Sequence, residues 1–219
     1  PTIMPEETLI NENIDIVVRG EGEKTIEELI PAIEKGKLQK VDGISFKQGK
    51  KIFHNRDRKL IKELDSIPFP SRDLLPVGKY KQHIGHPTSF ATMVSSRGCP
   101  YSCIFCTKAL YGNLYRTRSS DNIIREMQEV VTKFKMKEIV FYDDNFSVQR
   151  DHVLDLCNKI IDSGIEIKWK CEARVNLVDE ELLKKMKEAG CYLIAYGVES
   201  GNQNLLDAMK KGITLDQVR

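Results

Sequence analysis

From about residue 88 to the end, the chain repeats one pattern four times: a short apolar run, a turn, then apolar residues at helical spacing. The first run is "TSFATMVSS", followed by Ile123, Ile124, Met127, Val130, Val131 and Phe134 on a helical period. The second is "EIVFYDD", followed by a helix with Val153, Leu154, Cys157, Ile160 and Ile161 on one face, closed by Gly164. "IEIKWKCEARV" leads to the helix "DEELLKKMKEAG", in which Asp179 caps the start and Gly190 the end. "YLIAYGVES" leads to a helix around Leu205, Leu206 and Met209. Strands that alternate with helices predict an α/β fold with a parallel sheet and right-handed crossovers.

The third strand adds a constraint. Ile165, Ile167, Trp169, Cys171 and Ala173 alternate with Glu166, Lys168, Lys170, Glu172 and Arg174. The interior of a closed barrel filled with aliphatic side chains would not accept the second set. Two readings stay open: a solvated face, or a polar lumen filled by a ligand while the apolar face packs on helices. In the fourth strand, Ala195, Gly197 and Glu199 share a face and leave space near its C-terminal end.

Before residue 88 the pattern differs. Residues 14–18, "IDIVV", read as a short buried strand, followed by "RGEGE" and a helix opened by a capping box of Thr25 and Glu28. "DGISFKQGKKIFHN" alternates around a turn with a glycine and predicts a hairpin over 43–54. "SIPFPSRDLLP" carries three prolines and reads as a linker. The first residue is Pro1, and "ITLDQVR" stops just after a Thr214/Gln217 capping box, so the chain reads as an internal part of a longer protein.

At 219 residues the chain can bury a core, as one large domain or parts of two. Its 34 Lys and Arg against 32 Asp and Glu leave a net charge of +2 with the signs interleaved. That argues against nucleic acid or an acidic membrane surface as the main partner. No apolar run approaches the roughly 20 residues of a membrane-spanning helix, and no signal-peptide pattern opens the chain. A cytoplasmic setting with reduced thiols is expected.

Of the six cysteines, Cys157, Cys171 and Cys191 sit singly in apolar segments and read as core. Cys99, Cys103 and Cys106 crowd into "RGCPYSCIFC" at C-x3-C-x2-C spacing, where Gly98 and Pro100 let the loop bend back toward one metal centre. A structural zinc site takes four ligands, usually as two separated pairs; here His83, His86 or a distant cysteine would have to complete it. The four-cysteine run of an electron-transfer cluster does not match either. Three cysteines on a four-iron cluster would leave one iron open to chelate a substrate.

"CPYSCIFC", with Phe105 just before the last cysteine and the loop placed after the first strand of a βα series, resembles the signature of the radical S-adenosylmethionine (SAM) superfamily. The resemblance implies a partial (β/α)6 barrel, with this chain supplying its first four βα units. It implies a [4Fe-4S] cluster on Cys99, Cys103 and Cys106, with S-adenosylmethionine chelating the open iron. One-electron reduction of the sulfonium would then release methionine and a 5′-deoxyadenosyl radical that takes hydrogen from a small-molecule substrate in a dry lumen. The electron would come from a low-potential donor such as a flavodoxin or ferredoxin.

Three further stretches carry over. "YDDNF" stands where the family has a Gly-Gly-Glu motif that receives the methionine amino group, so Asp143, Asp144 and Asn145 are candidates; an Asx turn capping the next helix is the other reading. "YGVESG" resembles the segment that reaches the SAM ribose and carboxylate, making Glu199 and Ser200 candidates; a plain strand end with a turn is the alternative. Arg174 would pair bidentately with the SAM carboxylate, or else form a surface salt bridge.

"PTIMPEETLINENIDIVVRGEGEKTIEELI" resembles the end of the cobalamin-binding domain that precedes the barrel in one branch, which includes methyltransferases and the anaerobic ring cyclase of chlorophyll synthesis; "ESGNQNLLDAMKKGIT" is in the same style. The expected division is 1–36 as the C-terminal part of a Rossmann-like cobalamin-binding domain, 37–87 as hairpin and linker, and 88–219 as a truncated barrel. Cobalamin is implied for the full-length parent. The alternatives are a methylthiotransferase or other cobalamin-independent radical SAM enzyme and, in a different class, a zinc-binding interaction module. The substrate is not readable from these residues.

Overall fold

A computed structural model of the chain describes residues 1–81 and 89–219. The chain divides into two compact units, one of residues 1–62 with 107–113 and one of 63–106 with 114–219.

In the first unit, α1 (Pro5–Ile10) precedes strand β1 (Ile16–Val18) and helix α2 (Glu23–Glu34). The expected hairpin follows as β2 (Ile44–Gln48) and β3 (Lys51–His54), turning at Gly49 with φ +62°. The three strands form one antiparallel sheet in the order β1-β2-β3, with Phe46 opposite both Ile16 and Phe53. Leu29 of α2 packs with Val41, Ile44 and Phe46 to make the core of this unit.

The capping box expected at Thr25 and Glu28 is corrected. Helix α2 starts at Glu23 after Gly22 without a side-chain cap, and Thr25 is buried inside the helix. Arg58 explains both side chains: its Nε donates to Thr25 Oγ1 at 2.8 Å, and its guanidinium pairs with the Glu28 carboxylate. A distant cation holds the threonine and glutamate that would otherwise have capped the helix.

The second unit carries strand β4 (Phe90–Met93), the short pair β5 (Ser96–Arg97) and β6 (Arg116–Thr117), and helix α3 (Ser120–Thr132). After these come β7 (Glu138–Phe141), α4 (Arg150–Asp162), β8 (Lys168–Ala173), α5 (Glu180–Glu188), β9 (Cys191–Tyr196), α6 (Gln203–Ala208) and α7 (Leu215–Val218). Strands β4, β7, β8 and β9 form a four-stranded sheet in sequence order, and every neighbouring pair is parallel. This is the α/β arrangement that the repeating pattern predicts.

The two faces of this sheet differ as the third strand requires. Ala91, Met93, Ile139, Phe141, Trp169 and Cys171 join Ile123, Met127, Val153, Leu156, Leu182 and Met186 from α3, α4 and α5 in one core. Trp169 is fully buried, edge-on to Phe141 at 5.6 Å between ring centroids, and its Nε1 donates to the Ala189 carbonyl at 2.8 Å. Lys168 and Glu172, on the alternate positions of β8, are exposed. Asp179 caps α5 by accepting from Leu182 N at 2.8 Å. Cys157, Cys171 and Cys191 are all buried; burial pushes the Cys157 thiol up to about 12, and contact with Cys191 followed by burial pushes Cys171 upward.

Candidate functional site

The cysteine loop follows β5, and its backbone is tied down at several points. Gly98 adopts φ +87°, and its N–H donates to Asp144 Oδ2 at 3.1 Å. Cys106 N donates to the Cys103 carbonyl at 3.2 Å, and Ile104 N donates to the Met209 carbonyl at 3.0 Å. The loop thus joins the C-terminal end of β7 to the turn after α6.

Cys99, Cys103, Phe105 and Cys106 line a pocket of about 340 Å³ together with Asp144 and Asn145 after β7, Glu172 to Arg174 at the end of β8, and Ala195, Tyr196, Gly197 and Glu199 at the end of β9. Lys211 completes the lining. Ligands of open parallel sheets bind beyond the carboxyl ends of the strands, which is where these residues lie. The volume falls in the range of small-molecule sites.

Eight of the ten candidate residues therefore meet in one pocket, and two do not. Asp143 is buried next to the pocket, and its Oδ1 accepts from Ser95 N at 3.0 Å, Ser95 Oγ at 2.9 Å, Ser96 Oγ at 2.6 Å and Ser96 N. Burial raises its carboxyl to about 6 in spite of those donors. Ser200 lies outside the lining, and its hydroxyl accepts from Asn202 N at 3.1 Å. Neither Asp144 nor Asn145 caps α4, whose N-cap is Gln149. Asn145 makes a local Asx turn, with Oδ1 accepting from Ser147 N at 3.4 Å.

Arg174 does not form a surface salt bridge. It is 5% exposed and stacks over the Tyr101 ring at 3.9 Å from the centroid. Glu199 has φ +70°, a left-handed conformation uncommon for a residue with a side chain, and its Oε1 accepts from Lys211 Nζ at 2.9 Å. Lys211 was not foreseen in the sequence, because nothing in "KKGIT" separates it from its exposed neighbour Lys210. Lys210 at φ +53° and Gly212 at φ +66° turn the chain so that Lys211 points inward, 5.6 Å from the Phe105 ring centroid. The glycine was the one local signal.

The donor set fits a thiolate-bound cluster with a zwitterionic ligand. Thiols form one wall, while Asp144, Glu199, Arg174 and Lys211 offer both signs of charge. Asn145 Nδ2 and Asp143 Oδ2 are buried without a partner among the described residues, leaving one donor and one acceptor unmet. Among the described residues no three His, Cys, Asp or Glu side chains converge on a single ion; His83 and His86 lie outside the described residues. A mononuclear zinc site needs such convergence, whereas a four-iron cluster takes its thiolates on separate irons.

The sequence pattern of the radical SAM superfamily covers residues 93–219. The chain belongs to this superfamily. The radical SAM chain is 40% identical over 206 residues to an uncharacterized methyltransferase of Pyrococcus horikoshii, covering 93% of this chain and 44% of that protein. It is 29% identical over 212 residues to the anaerobic magnesium-protoporphyrin IX monomethyl ester cyclase of Cereibacter sphaeroides, covering 92% of this chain and 34% of the cyclase. Among solved structures, OxsB, a cobalamin-dependent S-adenosylmethionine radical enzyme with aqua-cobalamin and S-adenosylmethionine bound, superposes with a TM-score of 0.81 at 26% identity. That superposition covers 99% of the radical SAM chain and 32% of OxsB. The chain thus spans less than half the length of these relatives.

Proposed function

We propose that this chain is the cluster- and SAM-binding part of a cobalamin-dependent radical SAM enzyme that transfers a methyl group to, or cyclises, a small-molecule substrate. The observation that carries this reading is the pocket itself, where the three loop cysteines, three carboxylates and two buried cations meet at the C-terminal ends of β7, β8 and β9. When bound, a [4Fe-4S] cluster with S-adenosylmethionine supplies one-electron reductive cleavage of the sulfonium to methionine and a 5′-deoxyadenosyl radical.

The chain's own residues serve that chemistry by binding and orienting. Cys99, Cys103 and Cys106 hold the cluster, and Phe105 lines the loop side of the pocket. Asp144, with Asn145 beside it in the lining, receives the amino group of SAM, since an ammonium suits a carboxylate or an amide oxygen, while Asp143, outside the lining, holds Ser95 and Ser96 in place. Arg174 and Lys211 form the cationic side that receives its carboxylate. Glu199 turns toward the ribose hydroxyls, and Ser200, outside the lining, holds the turn that follows through Asn202 N. The apolar side of the sheet packs on α3, α4 and α5, so the polar side is left to line a lumen, as in a partial (β/α)6 barrel. In the full-length protein such a lumen would keep bulk water from the reacting centre.

Residues 1–36 are proposed as the end of a Rossmann-like cobalamin-binding domain, 37–87 as the connection and 88–219 as the barrel portion. Ile26, Ile30 and Ile33 support the first assignment. They recur on one side of α2 and are 44%, 58% and 53% exposed, as expected of a helix from a larger layered domain. The likeness to OxsB supports cobalamin in the full-length protein. A cytoplasmic setting and a flavodoxin or ferredoxin as electron donor belong to the same reading; among the described residues no helix is long and apolar enough to cross a membrane.

The test uses the full-length protein, anaerobically reconstituted and supplied with SAM and dithionite. Release of 5′-deoxyadenosine is expected from the wild type, is lost in Cys103→Ala and persists in Cys157→Ala. Equal loss in both variants would contradict the division of the cysteines, and absence of cobalamin from the purified protein would contradict the branch assignment.

A further inference from the structure

Arg174 does more than line the pocket. All three guanidinium nitrogens are engaged: Nε donates to Asn176 Oδ1 at 3.2 Å, Nη2 to the Lys211 carbonyl, and Nη1 to Cys103 Sγ at 3.5 Å. Tyr101, which lies between Cys99 and Cys103 in the loop, stacks on the same group. One side chain therefore joins the end of β8, the cysteine loop and the turn after α6. Its oxygen acceptors are an amide and a carbonyl, and among the described residues no carboxylate pairs with it. A buried cation without a counter-charge is costly, and the cysteine sulfur is the one neighbour here that becomes an anion when it binds iron.

We propose that Arg174 is a positioning residue that sets the reduction potential of the cluster through Cys103. This rests on the reading that the three loop cysteines carry a four-iron cluster. When one electron passes from an external donor to the cluster, the thiolate-bound group becomes more negative. An N–H donor and a fixed positive charge on a cluster sulfur stabilise that added charge and raise the potential. Because the guanidinium is buried, solvent ions screen it little. Tyr101 holds the planar group face-on, which a lysine would not reproduce.

The experiment compares wild-type full-length protein with Arg174→Gln, Arg174→Lys and Tyr101→Leu, each anaerobically reconstituted. Iron and acid-labile sulfide are measured first. The reduced fraction of the cluster is then followed against potential by electron paramagnetic resonance without SAM. In Arg174→Gln the ratio of reduced to oxidised cluster at the wild-type midpoint should fall about tenfold, which is ~59 mV for one electron. Arg174→Lys, which keeps the charge, should fall by a smaller factor. An unchanged ratio in Arg174→Gln, or equal falls in the glutamine and lysine variants, overturns the proposal.

If Arg174→Gln does not hold a cluster, Tyr101→Leu decides. A lower ratio there supports the proposal, and an unchanged one overturns it. Loss of the cluster from both would make the contact purely structural and also overturns it. A wild type without iron and sulfide would contradict the reading of the cysteines, whereas a wild-type cluster with an unmoved potential in Arg174→Gln contradicts only the role of Arg174.

Discussion

Gly197 shows how closely the pocket is fitted to its charged pair. A Cβ there would stand 2.7 Å from Glu199 Oε1 and 3.1 Å from Lys211 Nζ. Both atoms end flexible side chains, so Gly197→Ala should be accommodated by pushing the pair out of place. SAM binding to the reconstituted protein, measured by equilibrium dialysis, should weaken; unchanged binding would remove Glu199 and Lys211 from the SAM site. Asp143 offers a second test. Its native carboxyl titrates near 6, raised by burial, against about 3.9 in the unfolded chain. Between those values the native state binds more protons, so this group's contribution falls as pH rises from about 4 to 6, by at most ~3 kcal/mol. Asp143→Asn keeps an oxygen for Ser95 and Ser96 but carries no charge. Urea unfolding of the cofactor-free chain should show the variant gaining on the wild type between pH 4 and pH 7; an equal difference at both would mean the carboxyl does not titrate in that window.

At the scale of elements, Gly190 ends α5 with φ +96°, and a Cβ there would lie 2.4 Å from the Ile167 carbonyl oxygen. Gly164 ends α4 with φ +64° and open space around it. Gly190→Ala should therefore destabilise by about 2–5 kcal/mol and Gly164→Ala by about 1 kcal/mol, compared by urea unfolding; equal effects would mean that backbone conformation alone sets the cost. Both glycines were legible as helix ends, as were the Asp179 cap, the hairpin and all four strand-helix repeats, because each is written in residues a few positions apart. What was not legible depends on distant partners. Arg58 takes Glu28 from 30 positions away. Arg72 sits in the proline-containing stretch that read as a linker, yet it is 5% exposed and shares the buried Glu126 carboxylate with Arg118. In the site, the cysteine spacing was plain, while the inward turn of Lys211 and the Tyr101 stack on Arg174 follow from tertiary packing that no local pattern records.

At the scale of the whole molecule, the second unit brings together the elements of the candidate site. The sheet's helix-covered face is apolar, and the loops at its C-terminal edge gather the cysteines and the charged groups into one pocket. The relatives are longer than this chain, so activity is measured on the full-length protein. The most direct measurement is electron paramagnetic resonance of the dithionite-reduced, anaerobically reconstituted full-length protein, with and without SAM. A reduced four-iron signal that shifts when SAM is added is the expected result, since it places SAM on an iron that Cys99, Cys103 and Cys106 leave open. A cluster signal indifferent to SAM, or zinc in place of iron and sulfide, would contradict it.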